Sequence, residues 1–173
     1  FYGEQRFDAA LAEFTRAYAL MPAHQTLYNL AQVHAALGHA VEAAAAFERY
    51  LHEAPSDLSP RRRREAEQAL AEQRARIGFV SVRADVAGAT VSVDGVDVAS
   101  TPVAHPLSLS AGSHTIEVRA PGHETVRTSV TVAGGEQREL EVSLRPSVAP
   151  RGTLRVRASL PEVAIEVDGE LVG

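Results

Sequence analysis

Apolar positions along the chain follow two periods, and the change falls near residue 78. Upstream, Leu27, Leu30, Ala31, His34 and Leu37 recur at helical spacing, and Gly38 follows as a stop signal. Ala43, Phe47, Tyr50 and Leu51 form the stripe of a partner helix that Pro55 ends. Ser59 as N-cap with Pro60 in the first turn predicts a further helix over about 60–76, with a thin apolar face of Ala66, Leu70 and Ala71. Downstream the period becomes two. Val80, Val82 and Ala84 alternate with Ser81 and Arg83, and Ile116 and Val118 with Glu117 and Arg119. Val126, Val130 and Val132 alternate with Arg127, Ser129 and Thr131, and Leu140, Val142 and Leu144 with Glu139, Glu141 and Ser143. Turn signals fall at Asp94-Gly95, Ala111-Gly112, Pro121-Gly122 and Gly134-Gly135. Short strands with one polar face and evenly spaced turns predict a small antiparallel β-sandwich.

Both regions repeat internally. Ala10, Phe14 and Pro22 return as Ala43, Phe47 and Pro55, each 33 residues on. The 22 residues beginning at Gly78 recur without a gap from Gly152, with eight identical positions that include Val93/Val167, Asp94/Asp168 and Gly95/Gly169. The expected organisation is helical-hairpin repeats over 1–56 (the first truncated), a capping helix over 57–77, a sandwich over 78–145, a Pro-containing linker over 146–151 and an incomplete second sandwich over 152–173. The second copy stops about a third of the way through its unit, and the chain opens inside a helical pattern. Both predict a piece of a longer protein.

Two antiparallel helices per unit of about 34 residues resemble the tetratricopeptide repeat. The resemblance is carried by LYNLAQVHAALGHAVEAAAAFERYLHEAP and by the truncated copy FYGEQRFDAALAEFTRAYALMP. His34 stands where the family usually has tyrosine, and Ala40 where it usually has an aromatic residue. The β region resembles the PEGA domain over about 79–144 and again from 153. Its motifs are VSVDGVDVASTP with the Thr101-Pro102 exit, the run Ala111 to Val118 (AGSHTIEV), and Pro121-Gly122-His123, where the family typically has an aromatic after the glycine. The PEGA resemblance implies a bacterial protein, often extracytoplasmic, often joined to tetratricopeptide repeats or kinase domains, with no catalytic activity in the domain itself.

Composition narrows the function classes. The 17 basic residues are all arginine, which with the alanine excess points to a GC-rich bacterial coding sequence. A net charge of −5 supplies no basic field for nucleic acid. With no cysteine, thiol catalysis, disulfides and thiolate metal sites are excluded. After Phe79 the chain has no Phe, Tyr or Trp, which removes stacking platforms for sugars or single-stranded nucleic acid. No nucleophile elbow, phosphate loop or dinucleotide fingerprint is present, so no cofactor and no small-molecule substrate is expected.

The histidines read as structural or exposed. His34 and His39, five apart, would lie about 140° from one another on a continuous helix and could not share a metal. His114 stands where the PEGA family also prefers histidine, which implies a structural hydrogen bond. The hairpin turn accounts for Asp94-Gly95 and Asp168-Gly169. What remains is a partner surface. Gln25, Tyr28, Asn29, Gln32 and Ala36 occupy the side of the leading helix opposite Leu27, Leu30 and Val33, where helix-pair arrays present a concave face to peptides and proteins. Asn29 matches one place of the carboxylate clamp known in some tetratricopeptide domains, but the other places are unfilled, which favours a generic groove. The run Arg61–Arg64 is either an acidic-peptide contact, with Arg61 and Arg62 foremost, or a solvated face balanced by Glu65, Glu67 and Glu72. The expected function is a non-enzymatic scaffold of the bacterial cell envelope, in the periplasm, whose helical part binds a protein or peptide partner while the PEGA-like array spaces or anchors it, with an envelope component as a further partner. The alternatives are a cytoplasmic regulatory extension of a signalling enzyme such as a serine/threonine kinase, and an envelope glycan-binding module.

Overall fold

The computed structural model describes residues 2–56, 58–147, 164, 166–167 and 170–171. Among these, four helices precede the strands: α1 (Tyr2–Leu20), α2 (His24–Ala36), α3 (Ala40–Glu53) and α4 (Pro60–Arg74). The strands are β1 (Ile77–Ala84), β2 (Thr90–Val93), β3 (Val96–Ser100), β4 (Leu107–Ser110), β5 (Gly112–Arg119), β6 (Val126–Val132), β7 (Gln137–Val142), β8 (Glu166–Val167) and β9 (Glu170–Leu171).

The helical stripes pack as the spacing requires. α2 buries Leu27, Leu30, Ala31 and Val33, and α3 buries Ala40, Ala43, Ala44, Phe47 and Tyr50. Ala31 and Ala43 are wholly buried, so methyl groups stand at positions where long side chains would hold the helices apart. Gly38, at φ 78°, ends α2 in the left-handed conformation that a glycine adopts without a Cβ clash. At α4 the Ser59 hydroxyl accepts from Arg62 N at 3.3 Å, and Pro60 occupies the first helical position. The apolar face of α4 departs from expectation. Ala66 and Leu70 are buried, but Ala71 is exposed and Gln73 takes its place in the interface. The sequence i, i+4, i+7 from Ala66 runs through Leu70 to Gln73, so helical geometry overrides residue polarity here.

The strands form a three-stranded sheet in the order β4-β1-β7 and a four-stranded sheet in the order β3-β2-β5-β6. The two enclose Val80, Val82, Val91, Ile116, Val118, Val130, Val132 and Val142. The strictly antiparallel expectation fails at one seam, where β1 and β7 pair parallel from Phe79↔Gln137 to Ala84↔Val142. β4 flanks β1 on its other side and runs antiparallel to it, so β1 sits between one antiparallel and one parallel neighbour and this sheet is mixed. The turns at Ala111-Gly112 and Gly134-Gly135 join strands of different sheets instead of closing hairpins.

Two contacts tie the helices to the sheets. Ile77 and Phe79 pack into the helical cluster with Ala44, Phe47 and Leu70, and Ala40 N donates to Ser110 Oγ at 2.9 Å. A third local device organises the loop after β1. Buried Thr101 donates through Oγ1 to Val86 O at 2.6 Å and accepts from Ala89 N at 2.9 Å. Thr101→Val keeps the shape and strands both backbone groups. It is expected to lower stability by about 2 kcal/mol in denaturant titration, whereas an unchanged midpoint would show that water reaches the loop.

The expected second sandwich, over 152–173, falls mainly outside the described residues, as does most of the 146–151 linker. Within it, β8 and β9 pair antiparallel, with Val167 opposite Glu170, as β2 and β3 pair with Val93 opposite Val96.

Candidate partner-binding surface

The exposed side of α2 carries the residues expected there. Gln25, Asn29, Gln32 and Ala36 are exposed, and Tyr28 is half-buried at the edge of the helical core. Tyr28 stands there because its ring reaches inward to Phe47, edge-on with centroids 5.8 Å apart, and to Tyr50 at 5.2 Å. Its hydroxyl accepts from Gln32 Nε2 at 3.1 Å, one helical turn on. The Arg62 guanidinium, from the first turn of α4, lies over the same ring, 4.9 Å from its centroid.

Tyr28, Gln32 and Arg62 are thus one linked group built from two helices, with Gln25 and Asn29 exposed beside it on α2. Arg61, beside it on α4, is engaged differently. Its side chain is 86% exposed and pairs with Glu65 at 2.8 Å, an i, i+4 bridge on α4's own surface. That bond holds the Glu65 carboxyl below its ordinary range. Arg62 approaches Glu65 only to 3.7 Å and keeps half of its side chain in solvent. The arginine run therefore divides into a self-paired member and one aimed at an aromatic ring, and spacing could not separate the two.

The histidines also correct a sequence expectation. His34 and His39 are neighbours, with Nδ1 atoms 3.4 Å apart. The estimate of 140° assumed one continuous helix, but α2 ends at Ala36 and the Leu37-Gly38 turn folds His39 back beside His34. Burial, and then the adjacent His39, hold the His34 pKa below its ordinary value against the pull of Glu42. Among the described residues no group of three or more His, Asp or Glu side chains gathers as a ligand set.

Asp94 and Gly95 have φ of 49° and 85°, the doubly left-handed turn that matches strand twist. The turn is only half of Asp94's role. Its carboxylate also accepts from Thr115 N at 2.8 Å and meets His114 Nδ1 at 2.6 Å. His114 Nε2 lies 2.7 Å from Ser110 O, so the structural bond implied for His114 is present twice over. Sequence reasoning treated Asp94 and His114 separately. The signal that joins them is the β2–β5 register, which sets Val93 opposite Ile116 and brings the turn alongside the start of β5.

Residues 1–63 match the family model of the tetratricopeptide repeat, and residues 77–148 match that of the PEGA domain. The chain joins a tetratricopeptide repeat region to a PEGA domain. A search of curated proteins found no match. Tetratricopeptide repeats mediate protein–protein binding, and PEGA domains are typical of extracellular or periplasmic proteins. Both are non-catalytic domain types. The Tyr28–Gln32–Arg62 group lies within the tetratricopeptide match, and the Asp94–His114 pair within the PEGA match. No helix among the described residues is long and apolar enough to cross a membrane.

Proposed function

We propose that this chain is a non-enzymatic scaffold of the bacterial cell envelope, whose tetratricopeptide part captures a protein partner while the PEGA part spaces or anchors it. The observation that supports this reading best is the Tyr28–Arg62 pair. Tyrosine and arginine dominate interface hot spots because they combine large contact area with directional polar groups. Here both are partly exposed, and the ring is braced by Phe47 and Gln32, so little side-chain freedom is lost on binding. Arg62, only loosely engaged by Glu65, has donors left for a partner's carboxylates or carbonyl groups. Gln25 and Asn29 extend this surface along α2, and Arg61 forms its outer rim. The repeat beginning at Gly152 supports a tandem PEGA arrangement, with the sandwich at 78–145 as its first unit.

The test is capture from an envelope extract by the wild-type chain and by Tyr28→Ala/Arg62→Glu. The expected result is that a protein retained by the wild type binds the variant at least about tenfold more weakly, because loss of one hot spot costs about 2 kcal/mol. The variant should keep a native thermal transition. Equal retention by a folded variant overturns the assignment of this surface.

A further inference from the structure

Ser110, the last residue of β4, faces both halves of the molecule. Its hydroxyl accepts from the N–H of Ala40, the first residue of α3, at 2.9 Å, and its carbonyl lies 2.7 Å from His114 Nε2. The Ala40 N–H also lies 2.9 Å from Gly38 O within its own turn, so Ser110 is its tertiary partner. On the other side of the imidazole, Nδ1 stands 2.6 Å from Asp94 Oδ2. A carbonyl has no proton to give, and an ionised carboxylate has none either. Both bonds therefore form together only when His114 carries a proton on each nitrogen. The side chain is 17% exposed, which leaves little room for water to replace a lost partner.

We infer that His114 is a proton-controlled latch between the PEGA domain and the tetratricopeptide repeats. Protonated, it fixes Ser110, and the Ser110 hydroxyl holds the first turn of α3. Deprotonated, it keeps a donor for only one of its two acceptors, and the grip of Ser110 on Ala40 loosens.

The charged and titratable groups around the ring support the latch. Asp94 faces it from the β2–β3 turn. Glu42 faces it from α3 and favours the imidazolium. His39, from the turn between α2 and α3, lines the same cleft of about 490 Å³. Burial opposes the charged form, but the bond to Asp94 and then the Ser110 carbonyl outweigh it and hold the His114 pKa above 6.5. For Asp94 burial likewise favours the neutral form, and the bonds from His114 and Thr115 outweigh it, placing the pKa below 3.8. The stabilisation from His114 is thus complete below 6.5 and lost as pH rises through its raised folded value. That from Asp94 is present above 3.8 and lost as pH falls through its depressed one. The latch is closed between these limits and opens on the alkaline side.

NMR titration of the whole chain tests this, following the His114 ring and the exchange protection of the Ala40 amide, corrected for intrinsic rate. The His114 midpoint should lie above 6.5, and Ala40 protection should fall about threefold across it, the share of one modest hydrogen bond. Asp94→Asn should bring the midpoint down. Ser110→Ala keeps the carbonyl and so the His114 midpoint, and it should abolish the step in Ala40 protection. A midpoint at or below 6.5, constant protection through the titration, or an undiminished step in Ser110→Ala would each overturn the latch.

Discussion

Phe47→Ala is expected to lower the unfolding free energy by about 3–5 kcal/mol, the range for deleting a large buried aromatic side chain. The upper part of that range applies because of what surrounds the ring. Phe47 is wholly buried and meets Tyr28 edge-on, and much of its cluster consists of Ala31, Ala40, Ala44 and Ala66. An alanine methyl cannot swing into a hole, so the cavity stays open and its lining loses its contacts. Phe47 belongs to the helical cluster and not to the core between the sheets, so the loss should fall on the helical signal. Denaturant titration followed at 222 nm measures it. A cost below about 1.5 kcal/mol would show that α2, α3 and α4 close around the missing ring.

Gly134→Ala is the second change with a large expected effect, for the opposite reason. A Cβ at Gly134 would land on the Ala75 carbonyl oxygen and stand 3.1 Å from Arg76 Cα. These are backbone atoms of the link between α4 and β1, and a backbone cannot rotate aside as a side chain can. The link is itself fixed, because Ala111 N donates to Arg76 O at 2.7 Å and Gly135 N to Ile77 O at 2.8 Å. Overpacking of this kind costs about 3 kcal/mol. Gly135→Ala provides the comparison. Its φ of 74° is unfavourable to alanine, but its Cβ would meet open space, so about 1–2 kcal/mol is expected. Thermal melts of the two variants separate crowding from conformational strain, and equal losses would show that the 75–76 link moves away.

The helices and most strands, with most of their buried faces, were legible in the chain because burial follows period, whereas β4 over Leu107–Ser110 and the exposure of Ala71 were not. Leu27 to Leu30 and Val80 to Val82 face inward as their spacing requires, and Ser59 caps α4 as a serine before proline should. Relations across elements were less legible. The proximity of His34 and His39 depends on where α2 ends, and a wheel drawn through Gly38 places them apart. The burial of Gln73 follows from helix geometry, not from its polarity. For the partner surface, the exposed side of α2 could be read directly. The choice of Arg62 over Arg61 depended on the first turn of α4 bringing Arg62 over the Tyr28 ring, which no local pattern records. Likewise Asp94 and His114 each had a sufficient local explanation, and only strand register revealed their bond.

The parallel seam between β1 and β7 sets how the PEGA domain would respond to tension. The chain enters β1 at Ile77 and leaves β7 at Val142, and the two strands run the same way side by side. Tension applied at Ile77 and Val142 would therefore act along the seam, in opposite senses on its two strands. Its hydrogen bonds would be sheared together, whereas a hairpin pulled from its open end unzips one bond at a time. Entry and exit at opposite ends also carry the chain onward instead of turning it back, by about 20 Å for a strand of this length. A domain built this way resists being pulled apart in the direction in which it lengthens the molecule.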